Sequence, residues 1–91
     1  LLEIYTQEYK YWRSGQYEKA LEKCREILKK HPKSHLASNA QYFIAFMYDY
    51  NLNNPKQALK EYQKLLEKYP ESRWIKAAQQ QIDSFKAEQK N

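Results

Sequence analysis

A block of the chain recurs at a shift of 38 residues, and this self-similarity limits the possible folds more than any other feature. The segment from Ala20 to Pro32 aligns on the segment from Ala58 to Pro70. The register then holds through Ser34 and Ser72, Ala40 and Ala78, Gln41 and Gln79, and Ile44 and Ile82. Chance apolar matching rarely keeps Pro, Ser and Ala in step over such a distance. A repeated unit of this size is one supersecondary element that buries its apolar side only by stacking on its neighbours.

Within each copy the apolar spacing is helical. Residues 20, 21, 24, 27 and 28, and again 58, 59, 62, 65, 66 and 69, form one stripe of a 3.6-residue helix. Pro32 and Pro70 stop these helices, because the residue before a proline avoids the helical region. Ser34 and Ser72 then offer side-chain oxygens to cap the next helix. That helix carries Leu36, Ala37, Ala40, Phe43, Ile44 and Met47 in one copy, and Trp74, Ile75, Ala78, Ile82 and Phe85 in the other. Upstream, residues 1–14 form a further helix, ended by Gly15 in the left-handed cap role. Asn51, Asn53 and Asn54 make the matching turn ahead of Pro55, which suits a first helical turn. A chain with no Val and a single Thr has little to build a sheet from.

The expected architecture is all-α: five helices over about 1–14, 17–31, 35–50, 55–69 and 72–88, folded by short turns into antiparallel hairpins. As one domain over 1–91, it divides into a first hairpin (1–32), a second hairpin (35–70), a C-terminal capping helix (72–88) and a tail (89–91). Gln79, Gln80, Gln81, Asp83, Ser84, Lys86 and Glu88 give the last helix the polar outer side that a terminal repeat needs. Ninety-one residues lie near the lower limit for one unaided core, and the 15% aromatic content supplies large buried areas per residue.

These residues resemble the tetratricopeptide repeat. Gly15-Gln16-Tyr17-Glu18-Lys19-Ala20-Leu21 with Pro32 matches its second-helix pattern, as do Ala58-Leu59, Tyr62 and Pro70. Tyr42-Phe43-Ile44-Ala45 and Tyr48 look like the first-helix half. A solenoid of about two and a half repeats is what the resemblance implies. The repeat is longer than the usual ~34 residues, with the extra length after each proline and in the turn from Asp49 to Asn54. The stretch from Ala40 to Ser72, with its Leu-Asn-Asn-Pro turn and Lys-Tyr-Pro-Glu-Ser ending, resembles repeats of bacterial envelope proteins: the Tol–Pal coordinator and the lipoprotein of the outer-membrane assembly machine. That resemblance implies a periplasmic or outer-membrane-associated adaptor, with a cytoplasmic adaptor as the alternative. Two residues depart from the pattern. Glu8 stands where a small residue usually lets the helices of a hairpin approach, and Cys24 replaces an aromatic. The first hairpin is therefore expected to pack more loosely, or to continue a longer array on its N-terminal side.

In the family the first helix of each hairpin lines a concave face. The resemblance so places Tyr5, Tyr9, Trp12 and Arg13, then Asn39, Tyr42, Phe46 and Tyr50, then Gln80, along a groove for a peptide or partner helix. Tyr and Trp suit such recognition, giving apolar area with a polar tip at little rotamer cost. Core packing is the competing reading, since helix-spaced aromatics commonly form cores. The family's carboxylate clamp needs Lys or Asn where Tyr5, Tyr9 and Phe43 stand, so a chaperone-tail binder is not implied.

Catalytic constellations are missing from the pattern. A single Gly leaves no phosphate loop. His31 and His35 are separated by the helix-breaking Pro32, so no metal ligand set is expected. Glu18, Glu22 and Glu26 form a surface row, and Cys24 reads as a small buried hydrophobe. No cofactor is expected. Lys56, Lys60, Lys64 and Lys68 make a basic ridge, read as a solvated face relieved by Glu61, Glu67 and Glu71. The net charge of +5 is dispersed away from the aromatics, so no nucleic-acid surface is expected. No run reaches the ~18 apolar residues that a membrane span needs. The chain begins at Leu1 and not at Met, so a leader or lipid anchor ahead of it is compatible with the sequence. The expectation is a non-catalytic interaction module with a protein or peptide partner. The alternative is a self-associating segment, a homo-oligomer or part of a longer array.

Overall fold

Helix-forming sequence divided by three kinds of stop signal gives five helices: α1 (Leu2–Arg13), α2 (Tyr17–Lys30), α3 (Ala37–Phe46), α4 (Pro55–Lys68) and α5 (Ile75–Lys90). The computed structural model describes residues 1–90, with side chains through residue 88, and no strand occurs among the described residues. The fold is a helical-repeat solenoid, as the repeat predicts.

Gly15 ends α1 in a full Schellman arrangement. Its φ is +81°, the Gln16 N–H donates to the Tyr11 carbonyl at 2.8 Å, and the Gly15 N–H donates to the Trp12 carbonyl at 3.1 Å. Pro55 occupies the first turn of α4, capped by Asn54 Oδ1, which accepts from the Gln57 N–H at 3.2 Å. The two serines differ from the expectation. Ser72 Oγ accepts from the Trp74 N–H, one residue ahead of α5. Ser34 Oγ instead donates back to the His31 carbonyl, closing the turn it sits in. Both post-proline turns lengthen as a result, and α3 and α5 start at Ala37 and Ile75, later than the expected 35 and 72. Helix α5 runs on to Lys90 through part of the expected tail, and Asn91 lies outside the described residues.

The third helix does not run regularly to residue 50. From Met47 to Asn51 it widens into a π turn, in which the Leu52 N–H reaches back five residues to the Met47 carbonyl at 2.8 Å. Asn53 follows with φ +50°, a left-handed conformation that Asn tolerates better than most residues. The extra length of this turn, visible in sequence, is spent on that widening.

Helix α3 joins two cores and carries no charged residue. Ala40, Ile44 and Met47 pack against Ala20, Leu21, Cys24 and Ile27 of α2, with Ile4, Tyr11 and Trp12 of α1 closing the side. Ala45 faces the other way, onto Ala58, Tyr62 and Leu65 of α4 and Ala78 and Ile82 of α5. An uncharged helix with apolar residues on opposite faces is one packed between layers, whereas α2 and α4 keep the charged face that water requires. A fully buried aliphatic side chain such as Leu21 or Leu65 contributes about 1.5–3 kcal/mol.

Two polar residues expected on the surface instead bridge separate elements, one of them buried and the other half-buried. Glu61, assigned to the lysine ridge, is only 6% exposed. Its Oε1 accepts from Gln41 Nε2 at 3.0 Å and its Oε2 from Gln57 Nε2 at 2.7 Å, pinning α3 to α4; Lys64 Nζ lies 3.5 Å away. Gln81, assigned to the polar cap, turns inward and donates to Asp49 Oδ2 at 2.6 Å. The first hairpin closes over Glu8, which is 1% exposed, with Oε1 lacking a hydrogen-bond partner. Burial pushes its pKa up from 4.5 to about 7.

Candidate functional site

The first helices leave an apolar cavity of about 340 Å³ on their side of the stack, lined by Tyr5, Trp12, Asn39, Tyr42, Phe43, Phe46 and Trp74. Helices α1 and α3 supply its two walls, and the turn before α5 supplies the end. The helical period places Tyr42, Phe43 and Phe46 on adjoining strips of α3, so their rings form a continuous floor: Phe43 to Phe46 at 5.9 Å and Tyr42 to Phe46 at 6.5 Å between centroids. Trp12 meets Phe43 edge-on at 5.4 Å. Trp74 stacks on Tyr42 at 4.6 Å with the rings 8° from parallel. Such pairs add about 0.5–1.5 kcal/mol each beyond their buried area, so the walls are preorganised.

Both indoles are held by hydrogen bonds, Trp12 Nε1 to Asn51 Oδ1 at 3.0 Å and Trp74 Nε1 to Asn39 Oδ1 at 2.7 Å. The π turn explains the first, since it brings Asn51 round to meet α1 across 39 residues of sequence. It also sets Asp49, whose Oδ2 accepts from the Tyr62 hydroxyl at 3.0 Å as well as from Gln81. The indole N–H groups are thus consumed internally, and the cavity presents ring faces. Burial first, with the charges of Tyr50 and Asp49 adding to it, raises the Tyr42 phenol above its ordinary range, so it remains a neutral hydroxyl.

Of the nine residues expected along a groove, Tyr5, Trp12, Asn39, Tyr42 and Phe46 come together around this cavity. Tyr9 and Tyr50 stand beside it as exposed rings, Tyr9 packed on Trp12 at 6.1 Å and Tyr50 on Phe46 at 4.7 Å. Arg13 and Gln80 are exposed and line no part of it. Phe43, read both as part of the apolar stripe and at a clamp position of the groove, lines the wall, as does Trp74, which the helical stripe alone assigns to the core. A signal existed for Trp74: it occupies the repeat position of Leu36, and a tryptophan there needs a partner for its N–H, which Asn39 supplies.

No other constellation competes. No group of three or more His, Cys, Asp or Glu side chains gathers among the described residues. Cys24 is buried, and that burial, with the Glu8 charge adding and Arg25 opposing, pushes its thiol far up and leaves it protonated. Lys56, Lys60, Lys64 and Lys68 are all exposed along α4, away from the rings that line the cavity. No described helix is long and apolar enough to cross a membrane.

No curated protein and no solved structure matches the chain. The tetratricopeptide repeat family does, over residues 8–34 and 40–72, two units that coincide with most of the two hairpins and extend to Ser72. Tetratricopeptide repeats generally mediate protein–protein interaction. The matched units, the 38-residue recurrence and the stacked hairpins agree, and the chain belongs to the tetratricopeptide repeat family.

Proposed function

We propose that this chain is a non-catalytic adaptor of the bacterial cell envelope that holds a peptide segment or partner helix in the aromatic cavity between α1, α3 and Trp74. The observation that carries the binding reading is the cavity itself. Seven side chains converge on about 340 Å³ of mostly apolar space, and its rings are braced by internal hydrogen bonds. A preformed apolar cleft with few polar groups is the usual form of a ligand site, and Trp and Tyr are the residues that most often dominate interface energies. The envelope reading is supported by the long repeat and by the Leu-Asn-Asn-Pro turn and Lys-Tyr-Pro-Glu-Ser ending.

The test is capture of partners from a bacterial envelope extract on the wild-type chain and on Tyr42→Ala/Phe46→Ala, with helicity of the variant checked by circular dichroism. Loss of the captured protein in a folded variant is expected. An unchanged set of partners would contradict the cavity assignment, and capture from the cytosolic fraction alone would contradict the envelope placement.

A further inference from the structure

We propose that the cavity selects a segment in which a large apolar side chain is followed or preceded closely by a carboxylate, with the apolar group filling the space between Trp12, Phe43 and Phe46 and the carboxylate meeting Arg73. This rests on the reading of the cavity as the binding face and specifies what it takes.

The charge distribution around the site carries the inference. Among the seven lining residues there is no Asp, Glu, Lys or Arg. Of the carboxylates on the elements that build the cavity, Asp49 accepts from Tyr62 and Gln81 through Oδ2, and Glu8, one turn from both Tyr5 and Trp12 on α1, is 1% exposed. At the Trp74 end stands Arg73, exposed, with its guanidinium carbon 5.1 Å from the centre of the Trp74 ring. A cation–π contact with an indole restrains a guanidinium, and its five N–H donors give it the means to receive a carboxylate in two-pronged fashion. Arg73, Trp74 and Tyr42 therefore form one braced edge, cationic at its outer end and apolar toward the cavity.

Asn39 adds direction. Its Oδ1 is committed to Trp74 Nε1, so its Nδ2 group is the donor left for an incoming chain. A main-chain carbonyl next to the apolar anchor satisfies that donor. The site then reads three features of one short segment: apolar bulk, a carbonyl and a side-chain carboxylate. The net charge of +5 favours the same sign of partner at longer range.

The experiment is selection of random dodecapeptides displayed on phage against the intact chain. The enriched sequences are then titrated as synthetic peptides, with both termini blocked, into wild type, Phe46→Ala, Arg73→Glu and Lys60→Glu. Trp12 and Trp74 are the chain's two tryptophans and both line the cavity, so their fluorescence and indole N–H resonances report occupancy directly. The expected consensus is Phe, Trp, Leu or Met with Asp or Glu within a few positions. Affinity should fall about tenfold or more in Arg73→Glu, equally when the peptide's acid becomes its amide, and weaken with added salt. Lys60→Glu, on the exposed back of α4, should leave binding within twofold. Peptides that shift both indoles and depend on Phe46, yet show no acidic preference or ignore Arg73→Glu, would overturn this inference and leave the cavity reading standing. Equal losses in Lys60→Glu and Arg73→Glu would also overturn it, reducing the effect to overall charge. Selected peptides that leave both indoles unmoved would overturn the cavity reading itself.

Discussion

Glu8→Gln replaces a carboxyl buried between α1 and α2 by a group of the same shape that cannot ionise. The wild-type side chain is 1% exposed with one oxygen unpartnered, and burial raises its pKa from 4.5 to about 7. The folded state thus holds the proton more tightly than the unfolded state. Stability from this group is complete below pH 4.5 and falls as the pH rises toward about 7, beyond which the loss is constant. At 1.36 kcal/mol for each pH step of the displacement, the full loss is about 3 kcal/mol. That is a large part of the ~5–14 kcal/mol available to a chain of this length. Urea unfolding followed by circular dichroism at pH 5, 6, 7 and 8 measures it. The wild type should lose about 2–3 kcal/mol across that range relative to Glu8→Gln, whose other titrating groups are the same. Its amide remains poorly partnered, so the pH slope and not the absolute stability is the readout. A wild-type minus variant difference that is flat from pH 5 to pH 8 would refute the burial argument.

Three further substitutions test the packing. Leu21→Ala, at a fully buried position of the first core, should cost about 2–5 kcal/mol by urea unfolding; a loss under about 1 kcal/mol would mean the hairpins do not pack as described. Tyr62→Phe removes one of the two donors on Asp49 and should cost about 1 kcal/mol while leaving helicity unchanged. Gly15→Ala places a Cβ in open space, so only the left-handed backbone resists it, and a loss of about 1–2 kcal/mol in thermal or urea unfolding is expected.

How much of this was legible before the structure depends on whether a feature is local. The helices, the Gly15 cap and the stacked cores follow from spacing within single segments, because a 3.6-residue stripe and a proline stop need no knowledge of distant residues. Glu61 shows the limit. Its spacing to Lys64 on the same helix is that of a surface pair, and only the approach of Gln41 from α3 reveals it as an interior acceptor. The π turn is likewise tertiary in origin: its residues serve Tyr62, Gln81 and Trp12, all contributed by other helices. The cavity was half legible. Periodicity brings Tyr5, Trp12, Asn39, Tyr42 and Phe46 to one side, but a stripe of aromatics does not say where core ends and groove begins. Phe43, which stands in the apolar stripe and at a clamp position alike, and Trp74, which the stripe assigns to the core, lie at that border.

The central claim, that this repeat protein binds its partner through the aromatic cavity, is tested most directly by the two indole N–H resonances of Trp12 and Trp74 as a selected peptide is added. The account predicts that both shift and saturate together, with the backbone amides of Asn39, Tyr42 and Phe46 moving alongside. Saturable binding that leaves both indoles in place and moves amides along the α4 ridge from Lys56 to Lys68 would contradict it.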